Sequence, residues 1–225
     1  MIQDANHILN KLPLIITKIQ VQKKNNGRYS LFNDKDFLVG ICIKTLTDFS
    51  IKEGVMLTPS LFNQIVTAEE YEAAKTSSLR YLGRRDHASF EIRQKLRKKG
   101  FSYATIEKLI TDLLQKKYLN DPDFALKYAT EKAAINKWGP KKIELALLKK
   151  KIDRITIQKT IKNIAENLSQ EQICLDLALK RKKHFLREPD LQKRKQKIFN
   201  YLSGRGFSGS DILKYLPLIT SEIDA

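Results

Sequence analysis

The chain has 225 residues, 42% apolar and 30% charged, with 42 Lys and Arg against 25 Asp and Glu and a formal charge of +17. That apolar content excludes a disordered chain, and the longest apolar runs, such as Leu12–Ile16, are far too short to span a bilayer. Residues 1–75 hold 9 basic and 8 acidic side chains, leaving 33 and 17 for residues 76–225, so a near-neutral start of +1 precedes a region of +16.

Such a charge repels itself unless a polyanion is near, which makes nucleic acid, or an assembly containing it, the first candidate partner. Asp4 and Asn6 stand where a signal peptide would carry basic residues, so a cytoplasmic protein is expected. Cys42 and Cys174 lack a Cys-x-x-Cys context and read as buried small residues in a reducing compartment. His7, His87 and His184 stand apart, without metal-ligand spacing, so no cofactor or metal is expected.

Residues 1–57 avoid the helical period. Short β-branched and aromatic runs around Ile15, Ile19 and Val21, then Arg28–Phe32, then Phe37–Ile43, are separated by turns at Lys24-Asn25-Asn26-Gly27 and Asn33-Asp34-Lys35-Asp36. A small antiparallel sheet of three or four strands follows, with Ile51–Leu57 as a candidate last strand. Thr58-Pro59 opens a short helix, with Thr58 as cap. Thr67-Ala68-Glu69-Glu70 matches a capping box and predicts a second helix to about Arg84, with Tyr71, Ala74, Ser78 and Leu82 on one face. Helices at about 88–99 and 103–117 come next, joined at Gly100. Asp121 as cap and Pro122 at the first helical position start a helix to about Lys137, and Trp138-Gly139-Pro140 breaks it and begins another. Ser169-Gln170-Glu171-Gln172 is a third capping box, and its helix breaks near Glu188-Pro189-Asp190. Tyr118, Phe124 and Tyr128 read as core, as does Trp138, a corner residue rather than a base-stacking platform.

A repeat organises the helical part. The apolar set Ile92, Leu96, Phe101, Ile106, Ile110 and Leu113 recurs as Ile143, Leu147, Ile152, Ile157, Ile161 and Ile164, and again as Ile198, Leu202, Phe207, Ile212, Leu216 and Ile219. Each central residue is followed by a capping side chain, Ser102, Asp153 or Ser208, and preceded by Gly100, Lys151 or Gly206. Lys151 suits a left-handed turn less well than glycine. The fold expected is mainly α: three tandem three-helix repeats in an elongated curved array, with a small N-terminal antiparallel β-sheet. The divisions are 1–66 for the β-rich segment with its short helix, then 67–120, 121–167 and 168–225 for the repeats.

Basic residues gather around the second helix of each repeat. Arg84, Arg85, Arg93, Lys95, Arg97, Lys98 and Lys99 do so in the first, Lys141, Lys142, Lys149, Lys150 and Lys151 in the second, and Lys193, Arg194, Lys195 and Lys197 in the third. Stacked units would align them into one positive stripe; otherwise they are solvated faces. Arg84 and Arg85 either fork onto phosphate or carboxylate, or pair with Asp86 or Glu91 to fix the helix junction. No glycine-rich phosphate loop, nucleophile motif or acid–base cluster is present, and Asp121 and Asp123 read as helix caps, so no enzyme is expected.

The ordered series Leu82-Gly83-Arg84-Arg85, Ser89-Phe90-Glu91-Ile92, Lys95-Leu96, Gly100-Phe101, Tyr118-Leu119-Asn120-Asp121 with Phe124-Ala125, and Trp138-Gly139-Pro140 resembles the RecX regulatory proteins of bacteria. The resemblance implies a modulator of the RecA recombinase, acting in homologous recombination, DNA repair and the SOS response. Such proteins lie in the groove of the RecA–single-stranded DNA filament and restrain ATP hydrolysis and strand exchange, without a catalytic site. The missing glycine before Ile152 and the divergent third repeat depart from the family's pattern. A monomer is expected, with weak non-specific binding to DNA alone. Two other readings stay open. One is a helix-turn-helix DNA-binding module, although its reading helices would offer little beyond Lys108 and Lys214. The other is a helical adaptor for an acidic protein.

Overall fold

The computed structural model describes residues 5–23 and 25–225. The chain divides into two compact units, residues 1–84 with 93–113, and residues 85–92 with 114–225. In the first unit α1 (Ala5–Leu9) leads to β1 (Leu14–Ile15), β2 (Lys18–Gln22), β3 (Asn25–Asn33), β4 (Asp36–Cys42), α2 (Ile43–Asp48), β5 (Met56–Leu57) and α3 (Pro59–Leu82). The sheet is antiparallel in the order β2-β3-β4, while β1 pairs with β5 in a separate two-stranded ribbon. Ile51–Leu57 therefore supplies two residues to a separate ribbon and no fourth strand. Leu31, Leu38 and Ile41 from the sheet meet Ile8, Ile16, Ile51, Leu57, Phe62 and Ile65 in one apolar cluster, as a sheet this small requires.

The turn at Asn33–Asp36 is present, with Asp34 at φ 51°. The other expected turn is displaced. Gln22 pairs with Asn25, so Asn25–Gly27 belong to β3, and Lys24 lies outside the described residues. The helices α1 and α2, with 5 and 6 residues, were not expected, because so few residues hardly sample a 3.6-residue period.

A larger correction concerns α3. Thr58 caps it and Pro59 is its first residue, but it runs unbroken for 24 residues through the expected start at Thr67. Thr67 returns its hydroxyl to the Asn63 carbonyl, 2.8 Å away, as interior threonines do. The two glutamates that imitated a capping box serve other elements. Glu69 accepts the Cys42 N–H at 2.7 Å and pairs with Arg28 at 2.9 Å. Glu70 accepts the N–H of Ser102 at 2.6 Å and the hydroxyl of Thr105 at 2.6 Å. Burial opposes its charge, but these donors, with the Ser102 hydroxyl, bring the Glu70 carboxyl below its ordinary range.

The remaining helices are α4 (Ser89–Lys98), α5 (Tyr103–Gln115), α6 (Asp121–Ala134), α7 (Pro140–Lys149), α8 (Arg154–Asn167), α9 (Gln170–Leu179), α10 (Lys182–Phe185), α11 (Leu191–Arg205) and α12 (Gly209–Asp224). Every repeat-matched apolar residue is buried except Phe101, Ile161 and Leu216, which are half-buried. The three joints share one hydrogen-bond pattern. The N–H of Phe101, Ile152 and Phe207 returns to the carbonyl five residues earlier, Leu96, Leu147 and Leu202, at 3.4, 3.2 and 3.3 Å. That is the long bond of a Schellman ending. Gly100, Lys151 and Gly206 take the left-handed angle this ending needs, at φ 81°, 59° and 96°. Lys151 thus adopts the backbone of the glycines it replaces, at a cost of about 1 kcal/mol. Ser102, Asp153 and Ser208 each accept the N–H three residues on, at 3.3, 2.9 and 3.1 Å.

Two cap assignments change. Asn120, not Asp121, caps α6, accepting the Asp123 N–H at 3.1 Å, and Pro122 is the second helical residue. Asp121 turns instead to the start of α4 and accepts the Ser89 N–H at 2.7 Å. Ser169 caps α9 as expected, but the Gln172 amide goes forward to Asp176 instead of closing the box.

The second unit holds two apolar clusters. One gathers Ala88, Phe124, Ala125, Ala129, Ala133, Ile143, Leu147, Ile152, Ile157 and Ile164, with Tyr128 and Trp138 at its margin. The other gathers α9, α10, α11 and α12 around Phe185, Leu202 and Phe207. Between α7 and the α11–α12 joint the backbones meet directly. The Gly139 N–H donates to Arg205 O at 2.9 Å and the Lys141 N–H to Gly206 O at 3.0 Å. A Cβ on Gly139 would lie 2.4 Å from the Gly206 carbonyl carbon, and one on Gly206 would lie 2.4 Å from Lys142 Cβ. Both glycines are needed for that approach.

Tyr118 departs from its expected core position and is 57% exposed, whereas Phe124 is buried with Tyr128 stacked on it at 5.7 Å. Tyr118 falls in the α5–α6 connection, where neither helix covers it. Cys174 is buried, but Cys42 is only half-buried at the end of β4, 3.3 Å from the Thr45 hydroxyl. No helix among the described residues is long and apolar enough to cross a membrane.

Candidate nucleic-acid interface

Basic side chains become a binding surface only where acids of the same protein leave them uncompensated. In the first unit, Arg93 is engaged, its Nε lying 3.0 and 3.2 Å from the two Glu107 oxygens. Lys95 and Lys99 sit over the Tyr81 ring, 4.6 and 5.4 Å from its centroid, and Lys99 also donates to Ser77 at 3.2 Å. A ring face holds an ammonium without neutralising it. Arg84, Arg97 and Lys98 are exposed and pair with no acid among the described residues.

In the second unit Arg85 takes one of the two roles open to it. Its Nη1 lies 2.7 Å from Asp86 O and its guanidinium 3.3 Å from both oxygens of Glu91. Glu91 also accepts the Ala88 N–H at 3.2 Å and the Lys150 ammonium at 2.7 Å. It is thus the third-position carboxylate that closes the start of α4. Burial alone would raise the Glu91 carboxyl, but Arg85, Lys150 and the Ala88 N–H outweigh it and hold it at about 2. Arg85 and Lys150 are thereby tied to one acid, with Lys150 also 5.0 Å from the Tyr128 ring centroid.

Lys142 stands over Trp138 at 4.7 Å. Trp138 is half-buried against the core, consistent with a corner residue. Lys141, Lys149 and Lys151 are exposed, with no acidic partner among the described residues. In the third repeat Lys197 pairs with Glu188 at 2.6 Å, and Arg194 with Asp224 while also donating to Glu188 O at 2.9 Å. Lys193 and Lys195 pair with none among the described residues.

The aromatic seats Tyr81 and Tyr201, the latter carrying Arg205 at 5.4 Å, are not among the residues expected from the sequence. A signal existed. Lys99, Lys150 and Arg205 hold the same place in the three repeats, two residues before Phe101, Ile152 and Phe207, and each rests on an aromatic ring.

Fold and surface together define a helical-repeat protein with a small antiparallel sheet at its amino-terminal end and basic second helices. Residues 14–58 match the Regulatory protein RecX N-terminal domain, and residues 74–113, 120–161 and 169–216 match the first, second and third three-helix domains of RecX. Regulatory protein RecX of Clostridium acetobutylicum is 33% identical over 209 residues, 92% of this chain and 97% of that protein. A crystal structure of regulatory protein RecX superposes with a TM-score of 0.75 at 24% identity, covering 90% of this chain and 98% of that one. That of RecX from Lactobacillus salivarius gives 0.61 at 26% identity, covering 70% and 98%. The chain belongs to the RecX family of regulatory proteins.

Proposed function

We propose that this chain binds the groove of the RecA–single-stranded DNA filament and restrains its ATP hydrolysis and strand exchange. It acts as a cytoplasmic regulator of recombination and repair with no catalytic site. Its three repeats are placed at about 67–120, 121–167 and 168–225, the first opening inside the continuous helix α3 and not at a helix start. Membership of the family supports the regulatory role. The observation that carries the surface is the recurrence, in the second helix of each repeat, of basic side chains that form no ion pair among the described residues: Arg97 and Lys98, Lys141 and Lys149, Lys193 and Lys195. Lysines of this kind suit a partner that combines phosphodiester backbone with acidic protein surface, because a compact charge on a flexible stem needs no fixed geometry.

The test is ATP hydrolysis by a preformed filament as the protein is titrated in, beside Lys98→Gln/Lys149→Gln/Lys195→Gln. Inhibition by the wild type below one copy per recombinase is expected, with the variant requiring several-fold more. No inhibition at any ratio, with tight binding to naked DNA instead, would replace this reading by that of a DNA-binding module.

A further inference from the structure

A further dense run of positive charge lies outside the second helices. Between Leu179 and Glu188 the chain reads Lys180, Arg181, Lys182, Lys183, His184, Phe185, Leu186, Arg187, with five Lys and Arg and no acid. All of them but Phe185, together with Leu179, line an open basin of about 710 Å³. Lys180, Arg181, Lys183, His184 and Arg187 are exposed, and none forms an ion pair among the described residues. The flanking acids are engaged elsewhere, since Asp176 accepts the Gln172 amide at 2.9 Å and Glu188 pairs with Lys197. The contrast with Arg194 and Lys197, both neutralised within the same repeat, is direct.

The segment is anchored. Phe185 is 1% exposed and sits in the apolar cluster of the third repeat. The Lys182 ammonium donates to Glu222 O at 3.3 Å, and the His184 N–H closes a turn onto Arg181 O at 2.8 Å. The Arg181 guanidinium is seated 4.7 Å from the Tyr201 ring centroid. One buried aromatic thus fixes the backbone while the cations face water.

We infer that the Lys180–Arg187 basin is a phosphate-binding site for the backbone of single-stranded nucleic acid. Five positive charges within eight residues repel one another, and a line of phosphates relieves all of them at once, releasing counterions as it binds. A single small phosphate is less suited, because the basin is open and most of its charges are lysines on flexible stems, not a fixed guanidinium fork. The inference goes beyond the filament reading and needs no recombinase.

The test compares the full chain with Lys180→Gln/Lys183→Gln/Arg187→Gln by fluorescence anisotropy on a labelled oligothymidylate across a salt series. Each phosphate contact on a single strand contributes about 0.7 to the log–log salt slope, so three lost contacts flatten it by about 2 and weaken binding near 0.1 M salt by roughly tenfold to a hundredfold. Circular dichroism should not change, because all three side chains are exposed. The control Lys18→Gln/Lys35→Gln/Lys52→Gln removes equal charge and should lose far less. An unchanged slope, or an equal loss in the control, would overturn the site. Displacement of the strand by inorganic phosphate beyond the effect of chloride at matched ionic strength would reassign the basin to a free phosphate. A defect seen only on phosphatidylserine vesicles, with DNA binding intact, would reassign it to a lipid surface. Failure of the ATPase test with success here would leave this site standing.

Discussion

Replacing Gly139 by alanine isolates the backbone approach between α7 and the α11–α12 joint. Gly139 has φ −75° and ψ 164°, which alanine adopts freely, so the cost is steric. The new Cβ would stand 2.4 Å from Gly206 C and Phe207 N and 2.5 Å from Gly206 O, all main-chain atoms that cannot rotate away. Restoring ordinary contact requires a separation of about 1 Å, which stretches the Gly139-to-Arg205 and Lys141-to-Gly206 hydrogen bonds, now 2.9 and 3.0 Å, beyond bonding range. Two such bonds contribute about 1 kcal/mol each, and overpacking of this kind costs about 1–3 kcal/mol. The expected destabilisation is about 3–5 kcal/mol, large against a total of about 5–15 kcal/mol. Gly100→Ala is the comparison, since nothing among the described residues lies within 4 Å of its Cβ and only the angle of φ 81° is penalised, by about 1–2 kcal/mol. Urea unfolding followed by circular dichroism ranks the two. A Gly139→Ala variant no less stable than Gly100→Ala would refute the close docking.

Lys151→Gly should stabilise the chain by about 1 kcal/mol in the same assay, because the residue already holds a left-handed angle of 59°. Asp153→Ala removes the side chain that receives the Thr156 N–H at 2.9 Å and should cost about 1 kcal/mol, whereas Asp153→Asn should cost little. The Glu91 carboxyl, lowered from 4.5 to about 2, contributes stability that is fully present above about pH 4.5 and is lost as pH falls through 2. Its worth is on the order of 2–3 kcal/mol at neutral pH, so Glu91→Gln should be destabilised by that order at pH 7. Less than half of that difference should survive at about pH 3. Urea melts at the two pH values check the sign.

The repeats were legible because the signals that define them are local. A six-position apolar pattern and a cap beside each joint are written within one helix pair, and the matched hydrogen bonds at Phe101, Ile152 and Phe207 follow from them. What the sequence hid depends on partners far along the chain. Thr67-Ala68-Glu69-Glu70 has the letters of a capping box, yet Glu69 is claimed by Cys42 and Arg28 and Glu70 by Ser102 and Thr105, so α3 does not break. Asp121 looked like the cap of its own helix and serves Ser89 instead. The same limit governs the surface. Counting charges cannot tell that Arg93 meets Glu107, that Lys150 meets Glu91, or that Arg194 and Lys197 are paired while Lys193 and Lys195 form no ion pair among the described residues. The short helices α1, α2 and α10 carry too few residues for periodicity to mark them.

The central claim, that the second helices of all three repeats meet a RecA–DNA filament, is tested most directly by hydrogen–deuterium exchange on this chain with and without the preformed filament. Protection is expected at the carboxyl-terminal ends of α4 and α7 and along α11 when the filament is added, and not with recombinase lacking DNA. Unchanged exchange in these helices under conditions where the filament's ATP hydrolysis is inhibited would contradict it.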